Sequence, residues 1–173
     1  MATPLTVVVK MTKITPKPLS AESFTAFGDV IEVSDNCKHF SINDGFTERY
    51  DDLAEINIEY NKGRPLINIF RSSPLPQPIN IKMMERHPLS SQAFMPLGEQ
   101  PYLVVVAPKG NFDVNKLEVF LATSNQGVNY HAGTWHHYCL ALNCSSDFLV
   151  VDRGGVGENC DVINLDGAIQ ICL

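Results

Sequence analysis

The chain predicts an all-β barrel or sandwich, and three observations carry the prediction. Apolar, β-branched and aromatic residues fall in many short runs, at residues 29–33, 66–71, 79–84, 102–107, 117–122, 138–142 and 148–152. Turn chemistry bounds these runs, as in Asn43-Asp44-Gly45, Ser72-Ser73-Pro74, Pro108-Lys109-Gly110 and Arg153-Gly154-Gly155. No helical period of any length appears after residue 28. Many short strands with few helices must bury their apolar faces against one another, by closing a sheet or pairing two.

The elements follow in order. Residues 1–18 are polar and carry Pro4, Pro16 and Pro18, with 7–11 a candidate edge strand. Residues 19–28 predict the one short helix. Ser20 caps its first amides, Glu22 suits the positive end of its dipole, and Phe24 and Phe27 share a face. Gly28 is expected as its left-handed C-cap. The strands come next. The run Pro74-Leu75-Pro76-Gln77-Pro78 reads as a stiff loop, and no linker divides the 173 residues, so one domain is expected.

A hydrophobic content of 45% with 18% charged residues is globular composition and excludes a disordered chain. The net charge of −6, with no basic stripe, argues against nucleic-acid binding. It also means that any anion site must be locally basic, with Arg49, Arg71, Arg86 and Arg153 as the candidates. The five cysteines are odd in number and lack C-x-x-C spacing. That disfavours a disulfide framework or a structural zinc site and suggests reduced thiols. Val7-Val8-Val9 is too short for a signal-peptide core or a membrane span. A soluble, cytoplasmic chain with no membrane partner is expected.

Two segments concentrate chemistry. In Glu85-Arg86-His87-Pro88-Leu89-Ser90-Ser91-Gln92, alternation puts Glu85 and His87 on one face of the strand that precedes them. Gln92, after a proline turn, can fold back beside them. The bland alternative is a loop-capping His87 with Glu85 paired to Arg86 at the surface. The second segment runs from Gly127 to His137 and holds three of the five histidines, His131, His136 and His137. Gly133 makes a turn that leads His136 onto the next strand. His136 and His137 then point to opposite faces, one into a barrel and the other toward solvent or a partner chain. Titration near neutral pH and a lone pair for metals make such a cluster functional more readily than structural.

Together the two segments resemble the paired cupin motifs. The first cupin motif, H-x-H-(x)3–4-E, becomes Glu85-x-His87-(x)4-Gln92, and the second keeps Gly133-x-x-His136 with His131 where proline is usual. Longer stretches are similar to the ureidoglycolate lyase family, also called ureidoglycolate hydrolase. They are Phe24 to Glu32, Ile42-Asn-Asp-Gly45, Glu48 to Ala54, Glu85 to Leu89, Gln92-Ala-Phe94, Gln126 to His131, Thr134-Trp-His-His137 and Asp147 to Gly155. The similarity spans roughly residues 19–165, leaving 1–18 as an N-terminal extension to a single domain over 19–173.

This resemblance implies a cupin-type double-stranded β-helix barrel and, as a rule, a homodimer. It implies cleavage of (S)-ureidoglycolate to glyoxylate and urea in allantoin and purine degradation. It also implies a divalent ion, nickel or else manganese or zinc, and no organic cofactor. Glu85, His87 and His136 are the expected ligand set, or else His87 and His136 act as acid and base with Glu85 as partner. Gln92 is expected to donate to the substrate carbonyl or hydroxyl. Arg71 is the first choice for a clamp on the substrate carboxylate, since a planar guanidinium matches two oxygens, with a surface salt bridge as its alternative. Asn43 and His131 are expected at the urea end, Arg153 at a loop or dimer contact, and Trp135 in the core or an interface. Three other readings stand beside the lyase. They are an amidohydrolase releasing ammonia, a non-haem iron oxygenase, and a non-catalytic cupin that binds a small acid.

Overall fold

A computed structural model describes residues 4–173, without the side chain of residue 168. Residues 1–3 of the expected extension lie outside the described residues. Three short strands open the chain: β1 (Leu5–Val8), β2 (Thr12–Ile14) and β3 (Lys17–Pro18). The helix α1 covers only Ala21–Phe24, and the Ser20 hydroxyl accepts from the Ser23 amide as its cap. β4 (Gly28–Ile31) follows, and then a hairpin of β5 (His39–Ile42) and β6 (Thr47–Tyr50). The body continues through β7 (Arg64–Ser72), β8 (Ile79–Arg86), β9 (Gln92–Pro96) and β10 (Tyr102–Ala107). β11 (Glu118–Ala122), β12 (Gly127–Tyr130), β13 (Trp135–His136), β14 (Leu140–Ala141), β15 (Ser146–Gly154) and β16 (Asp161–Ile171) complete it.

Gly28 is not the helix cap. Thr25, in helical conformation, ends α1, and Gly28 starts β4. A Cβ on Gly28 would lie 1.8 Å from the Asn129 carbonyl oxygen, so glycine is needed there for close backbone approach.

Two sheets face each other. The larger runs β1-β16-β8-β13-β10-β11-β3, with β2 added to β16 and β14 to β10. The smaller runs β4-β12-β9-β15-β7. β10 is buried on both faces, which explains its uninterrupted apolar run. Tyr102, Val104 and Val106 point between the sheets, onto Phe94, Val128, Phe148 and Val150 of the smaller sheet and onto Phe24 and Phe27. Leu103, Val105 and Ala107 pack on the other face with Ile81, Met84, Trp135, Ile163 and Ile169. The architecture is a cupin-like β-barrel. Residues 5–18, expected as an extension, contribute three strands, two parallel to β16 and one to β11. All five cysteines are free, and among the described residues no helix is long and apolar enough to cross a membrane.

Candidate active site

Register aims the motif residues inward. Across the larger sheet, Glu85 of β8 pairs with His136 of β13, which pairs with Val106 of β10. Directly opposed residues share a face, and Val106 belongs to the core between the sheets. Glu85 and His136 therefore project into the barrel, while their neighbours Met84 and Trp135 fill the other core. The two motif segments are tied through the backbone, where the Gly133 amide donates to the His87 carbonyl at 2.9 Å. Gly133 turns at φ 82°.

The result is one cluster. Glu85, His87 and His136 each offer a ligand atom, and these atoms lie within 4.8 Å of one another. His136 Nδ1 donates to the Thr134 carbonyl at 3.0 Å, which leaves the lone pair on Nε2. That Nε2 is buried without a hydrogen-bond partner, 3.7 Å from Glu85 Oε1. Tyr130, from the smaller sheet, stacks on the ring at 4.3 Å with planes 10° apart. Burial, with the His87 ring nearby, pushes the His136 pKa down to about 3, so this imidazole is neutral. Burial raises the Glu85 carboxyl, against the opposing pull of His87.

His87 stands between two acceptors. Its Nδ1 donates to the Asn159 carbonyl at 2.6 Å, and its Nε2 faces Gln92 Oε1 at 3.1 Å. Gln92 is the first residue of β9, so the fold-back expected of it brings it from the opposite sheet. Asn159 also accepts from the Leu89 amide at 2.7 Å and donates to Ser90 Oγ at 2.9 Å, fastening the turn after His87. A cavity of about 370 Å³ opens at His87 and is lined by Gln92, Asp152, Arg153, Glu158 and Asn159. Glu85 and His136 do not line it, and His87 connects them to it.

Chemistry at the cluster suits a divalent cation. It combines a buried, partnerless imidazole lone pair, a second imidazole and a carboxylate, and the His136 Nδ1–H is fixed by a backbone carbonyl as in ligating histidines. Facing the cavity, Asp152 projects from the interior side of β15. Its Oδ1 accepts from Asn68 Nδ2 at 3.0 Å. Desolvation raises its carboxyl, against Gln92, His87 and Asn68.

Other expected site residues lie elsewhere. Arg71 holds Asp147 in a two-bond fork, Nε to Oδ1 at 2.7 Å and Nη2 to Oδ2 at 2.8 Å, with 75% of its side chain exposed. It sits five residues along the β7–β15 ladder from the level of Asp152, about 17 Å away, and does not line the His87 cavity. Asn43 lies at the tip of the β5–β6 hairpin and donates to Thr47 Oγ1 at 3.2 Å. His131 binds Asp29 at 3.0 Å, outside the cavity lining. Glu85 does not pair with Arg86, whose guanidinium holds Asp161 and the Gly110 carbonyl. His137 faces neither solvent nor an open surface. It is 3% exposed, its amide bonds to Val105 and its Nδ1 to the Tyr138 carbonyl. Arg153 does fix a loop, through the Tyr60 and Val156 carbonyls, and Trp135 does pack in the core. Sequence reasoning passed over Asp152, Tyr130 and Asn159. For Asp152 a signal exists, a carboxylate in phase with Phe148 and Val150 on a core strand.

The family profile described as Ureidoglycolate lyase matches residues 11–172. The chain belongs to the ureidoglycolate lyase family. The ureidoglycolate lyase of Burkholderia mallei (strain NCTC 10229) is 49% identical over 161 residues, covering 93% of this chain and 94% of that protein. The one from Burkholderia cepacia is 50% identical over 151 residues, 87% of this chain and 85% of its own. That of Pseudomonas syringae pv. syringae (strain B728a) is 48% identical over 152 residues, 87% and 89%. The ureidoglycolate lyase match begins at residue 11, so it takes in β2 and β3 of the segment expected as an extension.

Proposed function

We propose that the chain is a ureidoglycolate lyase that cleaves (S)-ureidoglycolate into glyoxylate and urea during allantoin breakdown. One observation carries the mechanism: Glu85, His87 and the partnerless Nε2 of His136 converge beside a polar cavity large enough for a small acid. The reaction removes the hydroxyl proton, forms the glyoxylate carbonyl, breaks the carbon–nitrogen bond and protonates the departing nitrogen. No water is consumed.

His136, which holds a proton poorly, serves through its Nε2 lone pair. Glu85, raised by desolvation, exchanges a proton more readily at its carboxyl oxygens. Gln92, whose side chain stands 3.1 Å from His87 Nε2, orients the substrate oxygen. A divalent ion held by Glu85, His87 and His136 would polarise the hydroxyl and ease its deprotonation. Arg153 replaces Arg71 as the cation nearest the substrate carboxylate. It lines the cavity, and its hydrogen bonds to Tyr60 and Val156 use only Nε and Nη2. Free cysteines support a cytoplasmic site of action. The long β7 edge, with Ile67 and Ile69 exposed, supports a homodimer.

The test is to incubate the protein with racemic ureidoglycolate before and after chelation, following glyoxylate, urea and ammonia. Glyoxylate with equimolar urea, lost on chelation and restored by a divalent ion, is expected. Ammonia without urea would make the protein an amidohydrolase.

A further inference from the structure

Around the cavity the hydrogen-bonding groups are unevenly committed. Arg153 has spent two of its three guanidinium nitrogens on backbone carbonyls. Asn159 has spent its side chain on Leu89 and Ser90, and its carbonyl on His87. Asp152 is different. Oδ1 accepts from Asn68 and the Gln92 side chain also hydrogen-bonds to the carboxylate, but a carboxylate offers about four acceptor positions, so accepting capacity remains toward the cavity. The other carboxylate of the lining, Glu158, is exposed. Asp152 is thus the half-buried acceptor of the cavity.

Resting on the lyase reading, we infer that Asp152 recognises the ureido group of the substrate and is the residue that selects for it. A ureido group presents two parallel N–H donors in one plane, the fork by which a guanidinium meets a carboxylate. The negative charge of Asp152 also repels the substrate carboxylate toward Arg153, so one residue both reads the ureido end and orients the molecule. Selection of this kind is strong because a ligand lacking the donor leaves the cavity-facing acceptor positions of a half-buried carboxylate unfilled.

Binding separates this inference from the activity itself. N-carbamoylglycine carries the ureido and carboxylate groups but no hydroxyl, so it cannot be cleaved, and N-acetylglycine replaces the terminal amino group by a methyl. Calorimetry should show the wild-type protein binding N-carbamoylglycine about ten- to a hundredfold more tightly, as expected of a hydrogen bond to a charged group. Asp152→Asn should lose that preference, and Asn68→Ala, which releases the carboxylate from its holder, should weaken it. An unchanged preference in Asp152→Asn, or no preference in the wild type, overturns the inference. Absence of glyoxylate production by a wild-type protein that keeps the preference would sink the lyase reading and leave Asp152 as a ureido-acid ligand.

Discussion

His136 and His137 are adjacent and both buried, yet they do different things. His136 pairs with Glu85 across the sheet and stacks on Tyr130, with Nε2 left free. His136→Asn keeps a polar group of smaller size there but removes the lone pair from its position. A loss of at least about a hundredfold in glyoxylate production is expected, with the fold retained by circular dichroism. Burial depresses both rings, to about 3 for His136 and about 4 for His137. The unfolded chain therefore takes up protons below its ordinary histidine pKa that the folded rings refuse. Stability is present above about pH 6.5 and falls as the pH drops toward 4, by up to about 1.4 kcal/mol per pH unit for each ring. The raised carboxyls of Glu85 and Asp152 act with the opposite sign in the acid range. Urea midpoints for wild type and His137→Gln from pH 7 to 5 should diverge, with the variant losing less; parallel curves would remove His137 from this account.

Among the elements, those with strong local signals were legible and those shaped by neighbours were not. The runs at 66–71, 79–84, 102–107 and 148–152 lie inside β7, β8, β10 and β15; apolar and β-branched residues suit a strand locally, whether it is buried on both faces like β10 or stands at an edge like β7. The long β16 was missed because Asp166-Gly167 reads as a turn. In the fold this is a bulge in one strand, with Gly167 at φ 131° so close to β1 that a Cβ would lie 2.0 Å from the Val9 carbonyl oxygen. β9 and β12 were also missed. They carry Gln92, Asn129 and Tyr130, polar or amphipathic residues whose burial depends on partners far away in sequence. Gly28 was recognised and its role misassigned, since closeness to Asn129 is not a local property. Gly28→Ala must move β4 away from β12, and a loss of about 1–3 kcal/mol in chemical denaturation is expected; a neutral result would show that β4 can shift freely.

For the whole molecule, stability comes from two apolar cores on the two faces of one curved sheet. Phe148 and Phe120 are fully buried between the sheets. Either residue changed to Ala should cost about 3–5 kcal/mol. By contrast Ile67, 74% exposed on the β7 edge, should tolerate Ile67→Lys within about 0.5 kcal/mol in the monomer. If the homodimer forms along that edge, the same change should convert it to monomer in sedimentation velocity; a dimer that persists would place the interface elsewhere.

The sequence by itself determined the fold class, the single short helix and the cluster of Glu85, His87, Gln92 and His136. These rest on period, turn chemistry and residue type, which are local, and, for the joining of His136 to the other three, on the resemblance to the paired cupin motifs. Only the tertiary structure decided which cation and which acid stand at the cavity. Arg71 was a reasonable clamp as a residue type, but Asp147 lies directly opposite it in the ladder and takes its guanidinium. Asp152 stands in phase with Phe148 and Val150 on β15, but only the packing of two sheets brings it beside Gln92 and His87. Long-range register sets those neighbours, and a chain read one segment at a time does not contain it.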